Sequence, residues 1–414
     1  MDLGTYLRSL DQAVARGNGV EAARLMALPL PLTAASRQAQ SLLSDQASAK
    51  GQGLARFCAD SMNDKELAGA VAGRLQALVH LFNNDFDSAF RHEHGAYNVT
   101  LEWFSSRSES QTQAAVPVLV RVSDNLRLLA TMAEEAKGDI SHDLLREALQ
   151  DLTKGFTATA KDRTPLSSPG SKKRAILAVV NIVFKIYFKV NTLNLCSKMI
   201  KVVEMGGQVM ANLAMFPVCD VVTYKYYIGR LNMYEDKYEE AREALRFALK
   251  HTPQSAIRNR QRILAILVPV EMCLGIMPTP LIGTKYGFYP YLRLAEATKT
   301  GNLRDFNAAF EEHRHVFIRL GVYLVLEQVR SIAYRCFFKR IKIITSSLQI
   351  KISSVEALLR WMGLDTDMDE IECILANLIY QEKVKGYISH QKRTLVVGKT
   401  APFPIQSIVK RPKV

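Results

Sequence analysis

Gly398-Lys399-Thr400 has the residue types of a phosphate-binding loop, in which backbone N–H groups and a lysine hold nucleotide phosphates. The complete motif also needs a glycine where Arg393 stands. It needs a helix directly after the threonine, and Pro402 and Pro404 forbid one because proline lacks the backbone N–H that a helix interior requires. The sequence therefore predicts no nucleotide-binding loop.

Three aspartates, Asp365, Asp367 and Asp369, alternate like the first ligands of a calcium-binding EF loop. Glu370 stands where that loop requires glycine, and Ala376 stands where it requires a bidentate acid. Asp367 and Glu370 have instead the spacing of a capping box, in which both side chains satisfy backbone N–H groups at the start of a helix. We therefore interpret these acids as helix caps.

The two pairs of closely spaced histidines are not predicted to bind a metal. His92 and His94, and likewise His313 and His315, are two residues apart, and this spacing places side chains on different faces of a helix. The sequence contains no HExxH motif, no nucleophile elbow and no glycine-rich dinucleotide loop. We therefore predict a protein that is not an enzyme and that needs no metal or cofactor.

Clusters of lysine and arginine point to another chemistry, which is contact with polyanions. Residues 328–355 contain six basic residues and no acid, and further basic residues surround the last predicted hairpin. Such side chains provide salt-sensitive affinity for phosphates, although some of them are expected only to solvate helix faces. The predicted nucleic-acid-binding residues are Lys339, Arg340, Lys342, Lys383, Lys385, Lys392 and Arg393.

The net charge is distributed unevenly along the chain. The 414 residues include 54 Lys/Arg and 40 Asp/Glu, a net charge of +14, but only 17 and 20 of these lie in residues 1–168. The later residues therefore hold the whole positive excess. That excess favours a nucleic acid or an acidic protein as their partner, and a basic surface that serves only solubility is the alternative.

Composition indicates a folded, mainly helical chain. Hydrophobic residues make up 48% of the sequence and charged residues 23%, which is typical of globular proteins. The six cysteines form no CxxC pair, which favours thiols in a reducing compartment. The most apolar stretch, 175–190, is interrupted by Asn181, Lys185 and Lys189 and is shorter than the ~20 residues that span a bilayer, so we expect no membrane insertion.

Short turns rich in Gly and Asn join pairs of helical patterns. Both residues tolerate the left-handed conformation that ends a helix, so each turn predicts a helical hairpin. The turns are Gly17-Asn18-Gly19, Asn83-Asn84-Asp85, Asn191 and Gly301-Asn302.

One further hairpin matches a tetratricopeptide unit, in which small residues let two helices approach closely and a proline ends the second helix. These positions are Gly229, Ala241, Ala248 and Pro253. Several such hairpins in series predict a mainly α-helical fold, a TPR-like solenoid of helical hairpins.

The residues that follow predict a winged helix at the end of this solenoid. The apolar stripe of its first helix consists of Val355, Leu358, Leu359 and Met362, with Ser353 as its cap. The buried face of its second helix consists of Ile371, Ile374, Leu375, Leu378 and Ile379. Two strands, 387–389 and 395–397, then form a hairpin whose tip, 390–393, is the wing.

These patterns predict five segments. Residues 161–174 contain two prolines and a serine-rich centre, which marks a linker or exposed loop where the acidic half of the chain meets the basic half. The segments are helical-hairpin repeats over 1–165, a linker or exposed loop over 166–174, a helical region over 175–350, the winged helix over 351–400 and a basic tail over 401–414.

The sequence of residues 372–404 resembles a known family. Four runs carry the resemblance: 372–380 (ECILANLIY), 384–390 (VKGYISH), 395–397 (LVV) and 402–404 (PFP). They resemble the PCI-domain subunits of the second transcription–export (TREX) complex, the PCI domain-containing protein two family. The upstream run 222–230 (VTYKYYIGR) fits the same family, so the resemblance covers about residues 175–404.

The resemblance implies a PCI fold and a non-enzymatic scaffold in messenger-RNA export at nuclear pores, with a nuclear location and a cytoplasmic pool as a further expectation. It implies a GANP-type large subunit and a small acidic disordered DSS-type subunit as partners, and RNA or DNA on a basic winged-helix surface. The short basic run 410–413 is compatible with nuclear import. The alternative is a purely architectural PCI subunit of a proteasome lid, a signalosome or a translation-initiation-factor complex, without nucleic-acid contact.

Overall fold

The structure is a computed structural model. It describes residues 2–28, 34–138, 141–205 and 207–404. The chain is mainly α-helical, with one small sheet near its carboxyl end, as the sequence predicted. By their contacts the residues form two compact units, 1–224 and 225–414.

The first unit consists of consecutive helices packed in antiparallel pairs, of which α5 with α6 and α6 with α7 share the largest contacts. Its helices are α1 (Leu3–Ala15), α2 (Gly19–Leu25), α3 (Ala34–Lys50), α4 (Leu54–Ser61), α5 (Lys65–Phe82), α6 (Phe86–Ser106), α7 (Glu109–Lys137), α8 (Asp143–Ala160), α9 (Ile176–Val190), α10 (Asn194–Met205), α11 (Gln208–Ala211) and the first part of α12 (Val218–Tyr234), with short 3-10 turns at Gly51–Gly53, Lys172–Ala175 and Leu213–Met215.

The predicted hairpin turns lie between helices as expected. Asn18 and Asp85 cap α2 and α6, since their side chains accept hydrogen bonds from the N–H groups of Glu21 and Ser88 at 3.2 Å. Asn191 ends α9 with a φ of 59°, the left-handed conformation that its residue type tolerates. Local sequence therefore sets the helix boundaries at these turns.

Residues 166–174 lie inside the first unit, so the compact division falls later in the chain than the predicted linker. Leu166 and Ser171 in this segment are buried. The Asp162 carboxylate accepts a hydrogen bond from the Lys172 N–H at 2.7 Å, and the 3-10 turn that follows packs on α7, α8 and α9. The segment is therefore held in place by tertiary contacts, which its proline- and serine-rich composition did not predict.

Helix α9 contains the most apolar stretch of the chain and is buried along nearly its whole length. Within the residues that the structure covers, no helix has both the length and the apolar character needed to cross a membrane. The Asn181 side chain donates a hydrogen bond to the Asp220 carbonyl at 2.9 Å, which satisfies part of a buried amide inside the unit.

The second unit begins within α12 and continues through packed helices to the winged helix. Its later elements are α13 (Tyr238–His251), α14 (Ile257–Cys273), α15 (Leu281–Tyr286), α16 (Tyr289–Thr300), α17 (Leu303–Glu312), α18 (Arg314–Leu320), α19 (Tyr323–Thr345), β1 (Gln349–Lys351), α20 (Ile352–Trp361), α21 (Met368–Tyr380), β2 (Gly386–Ser389) and β3 (Thr394–Val397).

The α12–α13 hairpin has the close packing that the tetratricopeptide pattern predicts. A Cβ at Gly229 would lie 2.5 Å from Leu245 Cγ, so only glycine allows the two helices to approach this closely. Ala241 and Ala248 on α13 are buried. The small residues therefore act as predicted, by letting the helices approach each other.

The winged helix forms, with two differences from the sequence prediction. Its sheet has three strands in the order β1-β3-β2, because β1, absent from the predicted hairpin, pairs antiparallel with β3. Ser353 lies inside α20 and caps nothing, because α20 begins at Ile352, whose N–H donates to the Arg393 carbonyl at 2.9 Å. Strand pairing rather than a side-chain cap therefore positions the start of α20.

The second helix of the winged helix is placed as predicted. The Asp367 side chain accepts a hydrogen bond from the Glu370 N–H at 2.7 Å, which makes it the cap of α21. Ile371, Leu375 and Leu378 are buried, so the apolar stripe faces the core of the module.

We expect Leu378→Asp to unfold the winged helix, because Leu378 is 2% exposed and an unpaired buried charge costs several kcal/mol. Tyr380→Asp is the matched control, since Tyr380 lies on the same helix but is 66% exposed and its replacement should cost less than about 1 kcal/mol. Urea denaturation followed by circular dichroism measures both. Equal midpoints for the two variants would contradict this placement of the core.

Candidate nucleic-acid and partner interface

The strand register decides which of the predicted basic residues lie together. Lys351 on β1 pairs with Thr394 on β3, next to Lys392 and Arg393 at the wing tip. Gly386 pairs with Val397, so Lys385 lies at the opposite end of the sheet. Four residues of β3 span roughly 10 Å. The predicted site is therefore divided between the two ends of the sheet.

The end of the sheet opposite the wing also holds the Gly398-Lys399-Thr400 run. The Gly398 N–H donates to the Lys385 carbonyl at 2.8 Å, and no helix follows within residues 401–404. The Lys385 N–H in turn donates to the Pro402 carbonyl at 2.8 Å. These contacts make the run a continuation of the central strand β3 rather than a phosphate loop.

Five of the predicted residues have side chains wholly or partly in solvent. Lys339, Arg340, Lys385 and Lys392 are exposed, and Lys342 is half-buried. Within the described part of the chain none of the five forms an ion pair. Their charges are therefore available to a polyanion.

Arg393 is held by acids at the wing tip. Its Nη1 lies 2.5 Å from Asp369 Oδ1 and 3.1 Å from Glu372 Oε1. His390 Nδ1 lies 2.7 Å from the other carboxylate oxygen of Glu372. These contacts attach the wing tip to the first turns of α21. They also offset the positive charge of Arg393, which the sequence analysis predicted to bind nucleic acid.

Lys383 is buried rather than exposed to solvent. It is 9% exposed, and its Nζ donates to Ser331 Oγ on α19 and to Gln381 Oε1 at 2.8 Å. Burial lowers the pKa of Lys383 to about 8, because an ammonium group is less stable away from water. Lys383 therefore joins the winged helix to α19 instead of contacting a ligand.

Arg335 on α19 has a similar structural role. It is 4% exposed, and its Nη2 donates to the Phe403 carbonyl. The carboxyl end of the described chain is thereby fixed against α19. The sequence counted Arg335 with the basic run 328–355, but a buried guanidinium bound to a backbone carbonyl cannot contact phosphate.

An exposed apolar patch lies beside the basic residues, and the sequence reasoning missed it. Ile344 at the end of α19 is 80% exposed, Trp361 at the end of α20 is 76% exposed and Leu358 is 37% exposed. They line a groove of about 360 Å³ together with Arg304 and Arg340. The sequence prediction placed Leu358 in one apolar stripe with Val355 and Leu359, which are buried, but Leu358 instead forms an exposed apolar surface with Trp361, three residues further along α20.

Arg304 on α17 fixes the patch in position. Its Nε donates to the Met362 carbonyl at 2.5 Å and its Nη2 donates to the Trp361 carbonyl at 2.9 Å. A guanidinium at the carboxyl end of α20 satisfies carbonyl groups that the helix leaves free. The exposed indole therefore rests on a rigid helix end, which favours a binding surface.

Comparison with known proteins identifies relatives over most of the chain. A family model described as the PCI domain matches residues 310–399. A "PCI domain-containing protein 2 homolog" of Dictyostelium discoideum is 36% identical over 345 residues, which cover 81% of this chain and 78% of the relative. "PCI domain-containing protein 2" of Xenopus laevis is 32% identical over 413 residues and 98% of each chain, and that of Danio rerio is 36% identical over 81% of this chain and 83% of its own.

We expect the free energy of unfolding to rise between about pH 8 and pH 10.5, relative to a Lys383→Met variant. The pKa of Lys383 is lowered from 10.5 to about 8 by folding, so the unfolded chain binds more protons in this window. A shift of this size corresponds to at most about 3 kcal/mol. Urea denaturation of both proteins at pH 7.5 and pH 10 measures it. Parallel pH profiles would contradict the burial of Lys383.

Proposed function

The chain belongs to the PCI domain-containing protein 2 family, and on that premise we propose that it is a non-enzymatic scaffold of a transcription-export complex at nuclear pores. In this role it couples transcription to messenger-RNA export by joining a PCI partner subunit and a nucleic acid. The resemblance found in residues 372–404 is thereby confirmed at the level of the family.

The observation that carries the proposal is the set of five solvent-facing cations on α19 and around the sheet, which are Lys339, Arg340, Lys342, Lys385 and Lys392. They have no acidic partner among the described residues, so a phosphate backbone would release counterions at this surface without first breaking ion pairs. Lys392 lies on the wing, which a winged helix commonly lays on phosphates, whereas α21 carries no Lys or Arg, so in this proposal α19 rather than α21 supplies most of the cations.

Two protein partners complete the proposal. The exposed Trp361 patch has the aromatic anchor and rigid support typical of an interface centre, and it suits a GANP-type large subunit that carries its own PCI domain. The positive excess of the later residues suits a small acidic disordered subunit of the DSS type. The proposed location is the nucleus, with a cytoplasmic pool, and the basic run 410–413 that bears on import lies outside the described residues.

A second candidate is a purely architectural PCI subunit of a proteasome-lid, signalosome or initiation-factor type. Two observations favour it: Lys383 is buried, and Arg393 is paired with Asp369 and Glu372. Both residues use their charge to hold the module together. RNA binding decides between the two functions, because the architectural subunit would bind none.

We expect simultaneous replacement of the five solvent-facing cations by Glu to weaken binding of a labelled 20-nucleotide single-stranded RNA by about tenfold or more at 50 mM salt. Fluorescence anisotropy over a salt series measures the affinity and its salt dependence. Glu at five other exposed basic positions is the matched control, with the same change in net charge: Lys161, Lys198, Lys201, Lys299 and Arg319. Equal losses in both variants would show that only total charge matters.

We expect Trp361→Asp to lower the affinity for a co-expressed GANP-type subunit by about 30-fold, since loss of a tryptophan at an interface centre typically costs about 2 kcal/mol or more. Val20→Asp is the control, because Val20 is 76% exposed, as Trp361 is, and lies on α2. Titration calorimetry measures both. Unchanged affinity of Trp361→Asp would place the partner on another surface.

A further inference from the structure

The second unit, 225–414, contains another basic region, which is distant from the winged helix in the sequence. Residues 244–270 contain no acid, and they include five Lys/Arg and His251. They form the end of α13, the turn after it and most of α14. We call the surface formed by Lys250, Arg258, Arg262 and Lys285 the α13–α14 corner.

All four residues of the corner are exposed. None of them forms an ion pair with any residue for which the structure gives a position. Arg258 and Arg262 are four residues apart on α14, so their side chains share one helix face with Cβ atoms about 6 Å apart. The corner therefore presents four charges that no acid of the described chain compensates.

Arg260 holds this corner rigid from beneath. Its Nη1 donates to the carbonyls of Leu249 at 3.1 Å and Thr252 at 2.8 Å, and its Nε donates to Tyr286 Oη at 3.0 Å. Gln261 donates to the Tyr286 carbonyl at 3.2 Å. The end of α13, the start of α14 and the end of α15 are thus fixed together, which positions the four exposed cations before any ligand arrives.

A groove of about 690 Å³ runs beside Arg260. Apart from Leu249 and Pro253, its lining is polar or charged: Arg246, Lys250, His251, Thr252, Gln254 and Arg260. Lys250 and Arg260 contribute cations to this lining that no acid among the described residues pairs, whereas Arg246 lies 2.6 Å from Glu271. The groove therefore offers positive charge beside the corner, where a polyanionic backbone can lie.

Aromatic rings accompany the charges. The centre of the exposed His251 ring lies 4.1 Å from that of the Phe247 ring, and Tyr289 at the start of α16 is 60% exposed. Bases of single-stranded nucleic acids stack on such rings while Lys and Arg contact the phosphates. Charge and ring surface together match this ligand class.

We infer that the α13–α14 corner binds the backbone of single-stranded nucleic acid, as a second contact in addition to the cations of the winged helix and α19. This inference rests on the proposed function, because it assigns a further surface to the same ligand. A strand held at both surfaces binds more tightly than at either one, since the second contact becomes intramolecular.

The test replaces Arg258 and Arg262 by Glu in the full chain. A glutamate introduced at position 258 would stand in the first turn of α14, where a negative charge favours the helix, so folding should be retained and circular dichroism checks it. With the labelled 20-nucleotide RNA we expect a five- to tenfold loss of affinity. We also expect the slope of log K against log salt to become shallower by about 1.4, the value for two lost single-strand phosphate contacts.

Lys299→Glu with Arg319→Glu is the matched control, since both are exposed residues of the same unit and the change in net charge is equal. An RNA affinity of the corner variant equal to that of this control overturns the inference. If the five-residue variant of the winged helix and α19 still loses affinity in that case, the proposed function stands. No RNA binding by the unmodified chain would overturn both.

Binding of labelled poly-glutamate distinguishes an acidic protein partner from RNA at the corner. If it binds the unmodified chain and loses affinity in the Arg258→Glu/Arg262→Glu variant while RNA binding is unchanged, the corner belongs to an acidic protein and the inference fails. If RNA carrying 4-thiouridine crosslinks to residues 251–289 and the crosslinks disappear in the variant, the inference is supported.

Discussion

Helix α19 packs against other elements on several sides at once, and the arrangement of the carboxy-terminal unit depends on these contacts. It contacts α14, α16, α17 and α18, and its side chains also hold the winged helix. Two buried cations make that second connection: Lys383 donates to Ser331 on α19, and Arg335 on α19 donates to the Phe403 carbonyl. A buried charge costs stability unless hydrogen bonds replace water, so these contacts stabilise the observed placement of the winged helix on α19.

The same packing divides the basic run 328–355 into residues with different roles. Arg330 lies over the Phe310 ring at 5.4 Å and within 4.0 Å of Glu327, while Arg335 faces inward. Lys339 and Arg340, near the end of the helix, project into solvent. With Lys351 on β1, they are the exposed members of the run that form no ion pair among the described residues. These are the cations of the run that remain for the proposed nucleic-acid contact.

The interface proposed for protein partners arises from the end of the same helix. Ile344 is exposed because α19 ends there and the chain turns into β1, and Trp361 is exposed beside it at the end of α20. Arg304 fixes that end by binding its carbonyl groups. Basic and apolar surfaces thus lie next to each other, an arrangement that suits a scaffold binding a nucleic acid and a protein together.

Local sequence determined the elements of this protein, because helix caps, Gly and Asn turns and apolar periodicity act over a few residues. Asp367 at the start of α21, Asn191 at the end of α9 and the buried Leu378 were all predictable in this way, and so were the winged helix and its family. Strand β1 was not, since three residues carry little signal until β3 pairs with them. The roles of the lysines and arginines were also decided only by tertiary structure. Lys383 and Lys385 are two residues apart and chemically identical, yet one is buried against α19 and the other is exposed, because burial depends on contacts distant in sequence.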